Sequence, residues 1–342
     1  MAASNMSEKP PKIRDRTNAL ISVVAPAFNE EENLIALYER CKKVVEDGGS
    51  AFEMVIAENG SIDGSLKVLR DLHAKDPRVN YVSLSRNFGG QGGLLAGLEH
   101  CHGDVVITMD ADLQHPPEKI PDLLDKWETG FDVVTSRRLS NPDTGLFRQL
   151  LNNLFYKFMD SASGIPLSER QSDFRLMDRS ALDALLSLPE KNKYFRCLSY
   201  WVGFSQAYIE YEAAPRLKGV TKFRPLDLLK FAAEGITAFS VLPLHIFAVI
   251  GTVISAGSLF YGLIILLDWM FSKDFNAPPG FATLSIGIYF LGGVQLIGIG
   301  VLGEYLGRVY DEARGRPGYI VREATGSKHA FMAPTLPKAG DN

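Results

Sequence analysis

The chain has 342 residues, 46% of them hydrophobic, with a formal charge of −4 and a mean hydropathy of +0.00, enough for one large or two smaller globular domains. The acid excess, without a Lys/Arg stripe interleaved with aromatics, excludes a general nucleic-acid binder. Cys41, Cys101 and Cys197 are scattered and lack Cys-x-x-Cys spacing, which excludes a zinc site and a disulfide framework and fits a reducing compartment.

Residues 1–18 place Lys9, Lys12, Arg14 and Arg16 among Pro and Ser without an apolar core, so they predict a disordered tail and no secretory signal. From Leu20 to Thr135 short apolar runs alternate with helical patterns: LISVVAP, EENLIALYERCKKVVED, FEMVIAE, DGSLKVLRDLHA, VNYVSLS, GGLLAGLEHC, DVVITMD, PEKIPDLLDKWE and FDVVTS. Nearly continuous Val/Ile/Leu strands separated by helices of about three turns predict a parallel α/β sheet covered on both faces, with right-handed crossovers. Such sheets bind ligands beyond the carboxyl ends of their strands. Three polar clusters fall at those ends: Asn29-Glu30, Glu58-Asn59-Gly60-Ser61 and Asp110-Ala111-Asp112.

No Gly-x-Gly-x-x-Gly follows the first strand and no P-loop pattern occurs, which removes a dinucleotide oxidoreductase and a P-loop phosphohydrolase from consideration. The run Gly89-Gly90-Gln91-Gly92-Gly93 reads as close helix-to-sheet packing ahead of a phosphate cradle. Asp110 and Asp112, at i and i+2 after an apolar strand, suit a hard divalent cation held against a diphosphate, whose remaining positions phosphate and water fill. The competing reading of that pair is a turn and helix cap before Pro116. His115 reads as a capping neighbour of Pro116 ahead of a proton-transfer group.

Further along, residues 225–240 place apolar side chains along one side and predict an amphipathic helix in a headgroup region. Ile246–Leu267 and Phe281–Gly303 contain no Asp, Glu, Lys or Arg and predict two membrane spans. Basic residues flank the pair (Lys222, Arg224 and Lys230 before it; Arg308, Arg314, Arg316 and Arg322 after it). By the positive-inside bias both termini and the large domain face the cytoplasm, an expected multi-pass placement in the inner membrane. Gly298, Gly300, Gly303 and Gly307 permit close helix packing within the hairpin or between protomers, so a homo-oligomer, dimer or tetramer, is open.

The segments VVAPAFNEEENL, ENGSIDGS, LSRNFGG, MDADLQHPPEKIP, SDFRLMDR, GVTKF and FLGGVQLIGIGVLGEYLGRVYDEARGRPGYIV together resemble membrane-anchored family 2 glycosyltransferases that attach a sugar to a polyprenyl phosphate. Bacterial undecaprenyl-phosphate glucosyltransferases and dolichyl-phosphate mannose synthases form this group. The resemblance covers about Leu20 to Val321 and implies a GT-A catalytic domain, Rossmann-like with a mostly parallel sheet, over 19–224. The interfacial helix 225–240 follows, then spans at 241–270 and 281–303 joined by an external loop 271–280, and a cytoplasmic tail 304–342.

The resemblance implies a nucleotide-sugar site at Pro26, Asn29, Glu30, Glu58, Asn59, Asp110 and Ala111, with Mg²⁺ or Mn²⁺ at Asp112 and Gln114. Glu30, Glu58 or Asn59 can hydrogen-bond ribose or base edges, and the Gln114 carboxamide oxygen is an acceptable hard-metal ligand. Arg137, Arg148, Asn152, Arg216 and Lys222 are implied to meet the acceptor phosphate, where Arg forks suit its oxygens. Asp173, Asp112 and Arg175 are implied as catalytic: Arg175 in the acceptor loop, and Asp173 either orienting the acceptor or taking a residual proton, with holding Arg175 or the loop as its competing reading. The implied reaction is inverting hexose transfer, with UDP-glucose the favoured donor and a lipid bilayer presenting the acceptor. The alternatives are a GDP-mannose-dependent mannose synthase and a catalytically silent membrane scaffold. Asn59 stands where many relatives carry Asp, Gly90 where they carry Lys, and Gly92-Gly93 where an Ala pair is common, which bears on donor identity.

Overall fold

The computed structural model describes residues 14–139, 171–190, 193–212 and 280–325, with scattered positions between 244 and 271. They belong to two compact units. One comprises the described parts of Met1–Tyr156, Ile165–Thr221 and Arg316–Asn342, the other those of Lys157–Gly164 and Lys222–Gly315.

The first unit is built on eight strands: β1 (Leu20–Ala27), β2 (Ala51–Glu58), β3 (Val79–Leu84), β4 (Val105–Thr108), β5 (Val133–Arg138), β6 (Gln171–Asp178), β7 (Gln206–Tyr211) and β8 (Val321–Ala324). Its helices are α1 (Leu34–Asp47), α2 (Ser65–Lys75), α3 (Gly89–Glu99), α4 (Ile120–Glu128), α5 (Arg179–Leu186) and α6 (Phe195–Trp201). The strands form one sheet in the order β7-β5-β6-β4-β1-β2-β3-β8.

Strand alternation divides the core into two layers. Val23, Ala25, Met54 and Ile56 point to the face covered by α1, α2 and α4, whereas Val24, Val55 and Ala57 point to the face covered by α3, α5 and α6. In α1 the buried set Leu34, Leu37, Tyr38, Cys41 and Val45 recurs at helical spacing along one stripe. Each fully buried Leu of that stripe contributes about 1.5–3 kcal/mol relative to exposure.

The glycine run opening α3 divides into two roles. A Cβ on Gly93 would lie 3.2 Å from both Asn59 Nδ2 and Pro26 Cβ, and one on Gly97 only 2.5 Å from Val24 Cγ1, so this helix rests directly on the sheet. At Gly90 the same Cβ would meet open space.

The sheet is less parallel than its pattern predicts. Its seven pairings are four parallel and three antiparallel, and antiparallel β6 inserts between β4 and β5. β5 therefore pairs with β6 and β7 and never with β4. Alternation of short apolar runs cannot reveal this, because it specifies faces and leaves strand order open.

Both ends of the chain do more than a tail would. Arg14, at the end of the expected disordered segment, donates to Phe131 O at 2.7 Å and ion-pairs with Asp132. Within the expected tail 304–342, β8 pairs antiparallel with β3, and Arg70 grips Glu323 at 2.9 and 2.7 Å.

In the second unit, α7 runs from Phe281 to Ala313, 33 residues, continuing through Glu304, Arg308, Asp311 and Glu312 where the second span was expected to end at Gly303. The expected multi-pass membrane placement is corrected here: among the described residues no helix is long and apolar enough to cross a membrane. A charge-free run is not by itself a span, and here the same helix carries on without a break into Glu304, Arg308, Asp311 and Glu312. The cytoplasmic assignment of the termini falls with the spans on which it rested. The interfacial helix 225–240, most of 241–270 and the loop 271–280 lie outside the described residues, apart from single positions.

Candidate active site

The carboxyl ends of β1, β2 and β4 converge as expected, and each polar cluster there is held by its neighbours. Asn29 sits in the left-handed region at φ 58°, where Asn is one of the few side chains tolerated, and latches the loop after β1 to the loop after β2. Its N–H donates to Ser61 Oγ at 3.0 Å and its Oδ1 accepts from Ile62 N at 2.9 Å. Glu30 donates its N–H to Ser65 Oγ and accepts from Asn33 Nδ2 at 2.6 Å. Burial raises the Glu30 pKa, opposed by Asn33 and reinforced by the charges of Asp112, Asp63 and Asp110. The site thus concentrates negative charge that a cation would offset.

Glu58 and Asn59 differ from the sequence expectation. Glu58 is fully buried, accepting from Ser61 N and from Ser83 Oγ, with Arg322 Nη2 at 3.6 Å. Asn59 is 3% exposed, accepts from Phe88 N and donates to Gly89 O, both at 2.9 Å. Their polar atoms shape the loops around the site, since a buried carboxylate or amide is first obliged to find partners in its own chain.

An open cleft is lined by Pro26, Gly90, Gln91, Leu94, Thr108, Met109, Asp110 and Asp173. Asp110 lies at its rim with its side chain about half exposed, and Ala111 behind it is buried. Asp112 Oδ1 accepts from Gln114 N at 3.1 Å, and Leu113 between them takes φ 63°. The turn of the competing reading is therefore present, closed around Leu113.

Whether these residues fit a divalent cation can be tested on Gln114. Its terminal amide is buried at Nε2 without a hydrogen-bond partner among the described residues. Amide nitrogen and oxygen are interchangeable by a flip, so the orphaned position suits an oxygen turned to a cation beside Asp112. Among the described residues no three His, Cys, Asp or Glu side chains gather to hold a metal alone. Mg²⁺ or Mn²⁺ would take one or two protein carboxylates and complete the shell from phosphate and water.

His115 does not act as a simple cap. Its Nδ1 accepts from Asp110 N at 2.9 Å, and its Nε2 lies 2.6 Å from Ser172 Oγ. Burial pushes its pKa down to about 4, against the opposing charges of Asp112 and Asp173, so the ring is neutral near pH 7.

Arg175 lies inside the fold, on β6. It is 1% exposed and donates to Phe195 O at 3.0 Å, Ser199 Oγ at 2.6 Å and Ser172 O at 3.2 Å. Burial lowers its pKa, with Asp173 opposing. It is bonded to α6 through Phe195 and Ser199, with the Asp173 carboxylate 3.6 Å away. Asp173 itself lines the cleft and is held by Arg196, a residue the sequence reading passed over. Burial pushes the Asp173 pKa up, but Arg196 and then Arg175 outweigh it and hold the carboxyl below its ordinary value. The only sequence signal for Arg196 is a charge in the otherwise apolar turn YFRCLSYW. Arg137 stacks 3.8 Å over the Tyr208 ring and is not among the residues lining the cleft. Arg148, Asn152, Arg216 and Lys222 lie outside the described residues.

Comparison with known proteins gives concordant relatives. The model of glycosyl transferase family 2 matches residues 22–186. An uncharacterized glycosyltransferase of Synechocystis sp. is 40% identical over 310 residues, covering 90% of this chain and 96% of that protein. The SfII prophage-derived bactoprenol glucosyl transferase of Shigella flexneri is 39% identical over 304 residues, covering 89% of this chain and 98% of its own length. Among solved structures, glucosyl-3-phosphoglycerate synthase from Mycobacterium tuberculosis, in complex with Mn²⁺, UDP and phosphoglyceric acid, is 21% identical with a TM-score of 0.47, covering 65% of this chain and 78% of that one.

Proposed function

We propose that this chain, which belongs to glycosyl transferase family 2, transfers glucose from UDP-glucose to a polyprenyl phosphate with inversion at the anomeric carbon. The acceptor class rests on relatives such as the bactoprenol glucosyl transferase of Shigella flexneri, alike over nearly the full length of both chains. The observation that carries the site is the loop after β4: Asp110 at the rim of the cleft, with Asp112 and the orphaned Gln114 amide next to it.

In this reading Pro26, Asn29 and Glu30 border the nucleoside side, backed by the buried Glu58 and Asn59. Asp112 and Gln114 would hold a divalent cation, which when bound supplies positive charge for the departing nucleoside diphosphate. The acceptor is a phosphate monoester with a second pKa of about 6, so its attacking oxygen is largely anionic at neutral pH. A strong base is therefore unnecessary. Asp173, kept ionised by Arg196 and Arg175, orients groups in the cleft and takes no proton in the rate-limiting step. Arg137, Arg148, Asn152, Arg216 and Lys222 remain proposed contacts of the acceptor phosphate.

The test offers the purified chain UDP-glucose, UDP-galactose, UDP-N-acetylglucosamine and GDP-mannose, each with undecaprenyl phosphate and Mg²⁺ or Mn²⁺. Mass and anomeric configuration of the organic-extractable product are then determined. A β-linked lipid phosphoglucose is expected, while a mannosyl or α-linked product refutes the donor or the inversion.

A further inference from the structure

We propose that His115 is a positioning residue for the loop after β4, a single ring that ties Asp110 to β6 and thereby sets where the Asp110 and Asp112 carboxylates stand. The inference rests on the reading that Asp112 and Gln114 take a divalent cation.

Ala111 and Leu113 of the loop are buried in the core below it, which leaves the polar links to fix its outer side. Leu113 is in the left-handed region, and the Asp112–Gln114 hydrogen bond closes only the turn itself. The His115 side chain is 7% exposed and makes one contact on each edge. On one edge Nδ1 accepts the Asp110 N–H, two residues before Asp112. On the other, Nε2 meets Ser172 Oγ, the residue directly before Asp173. The ring face stacks on Phe174 at 5.5 Å and 16°, and Tyr211 meets it edge-on at 6.0 Å. One imidazole therefore connects the two carboxylates of the donor side with the strand that carries Asp173.

Neutral imidazole is the side chain that offers an acceptor on one edge and a donor on the other. Asn reproduces only the Nδ1 acceptor and lacks the ring. Phe keeps the ring contacts and lacks both polar edges. The two substitutions thus separate the hydrogen bond from the packing. Groups that orient a metal's ligands from behind are worth about 10–100-fold in metal affinity or activity.

The experiment measures binding of Mn²⁺ alone to the full chain, from the electron paramagnetic resonance signal of unbound Mn²⁺, together with thermal midpoint, kcat and KM. His115→Phe is expected to weaken Mn²⁺ binding by about 10–100-fold. It should lower kcat while leaving the acceptor KM within about twofold, because the ring, 7% exposed, offers the acceptor almost no surface. His115→Asn is expected to be the less stable protein and yet to recover most of the Mn²⁺ affinity. A packing role alone predicts the reverse order, with Asn worse on every readout, and that result overturns the proposal. So does wild-type Mn²⁺ affinity in His115→Phe when Asp112→Ala has lost it. If Asp112→Ala binds Mn²⁺ as the wild type does, or the wild type does not bind it, the metal reading itself fails and this inference falls with it.

Discussion

Arg196 grips Asp173 at two points, Nε 3.2 Å from Oδ1 and Nη2 2.7 Å from Oδ2, at the edge of the cleft. The pair holds the Asp173 carboxyl ionised below its ordinary value in spite of burial. In Arg196→Gln the carboxylate loses its principal cation, so its pKa rises. The acid limb of the kcat–pH profile should move to higher pH. Because a depressed carboxylate stabilises the fold above its unfolded pKa of about 3.9 and loses that contribution as pH falls through its folded value, the variant should also lose stability near neutrality. An unchanged acid limb, in a variant that still folds, would detach Asp173 from the reaction.

Asp112→Ala removes the carboxylate that accepts from the Gln114 backbone N–H. Turnover should fall by at least about 100-fold, as for loss of a group aimed at developing charge, with the urea midpoint nearly unchanged. Asp112 also raises the Glu30 pKa, so the Glu30 carboxyl, followed by NMR, should titrate at lower pH in the variant. Normal activity in Asp112→Ala would remove the metal assignment.

Two glycines of α3 predict opposite outcomes. Gly97→Ala places a Cβ 2.5 Å from Val24 Cγ1 and should cost about 1–3 kcal/mol through overpacking. Gly90→Ala meets open space, so stability should hold or rise by about 0.5–1 kcal/mol. Since Gly90 lines the cleft, the donor KM should nonetheless increase. Chemical denaturation and steady-state kinetics on both variants separate the effects.

Arg14→Ala should destabilise the first unit by about 2–3 kcal/mol in urea unfolding. The guanidinium is 10% exposed, sits 5.4 Å from the Trp127 ring centroid, ion-pairs with Asp132 and lies 3.5 Å from Asp178. Truncation leaves the Asp132 carboxylate and the Phe131 carbonyl short of a donor. A loss under about 0.5 kcal/mol would mark the contact as an ordinary surface pair.

All three cysteines are buried, and burial pushes Cys41 up to about 12 and Cys101 and Cys197 up to about 11. With pKa values that far above the assay pH, almost no thiolate exists at pH 8. A disulfide reagent should therefore find no fast-reacting thiol in the folded protein and three after denaturation. A fast-reacting native thiol would contradict the packing around that cysteine.

Local patterns were sufficient for much of the architecture. The alternation of apolar runs, the helical spacing of Leu34, Leu37, Tyr38, Cys41 and Val45, and the carboxylates following VVIT each involve neighbours within a dozen residues. That range is enough to specify strands, helix faces and the end of the sheet where ligands bind. The glycine run was legible in the same way, since only a missing Cβ allows a helix so close to Pro26 and Asn59.

What the tertiary structure decided are the partners at long separation. Antiparallel β6 lies between β4 and β5, bringing Ser172 to His115 and Asp173 to Arg196, and burying Arg175 where an acceptor contact was expected. β8 closes the far edge and brings Arg322 to Glu58, a carboxylate that binding motifs alone assigned to the nucleotide. The physical reason is common to all of them. Side-chain period and charge spacing determine which face of an element a residue occupies, whereas strand order determines what it meets there, and many strand orders satisfy the same periods. Asp110 and Asp112 were readable from the sequence because their role depends on the strand before them. His115, Arg175 and Arg196 were not, because theirs depends on strands and helices twenty or more residues away.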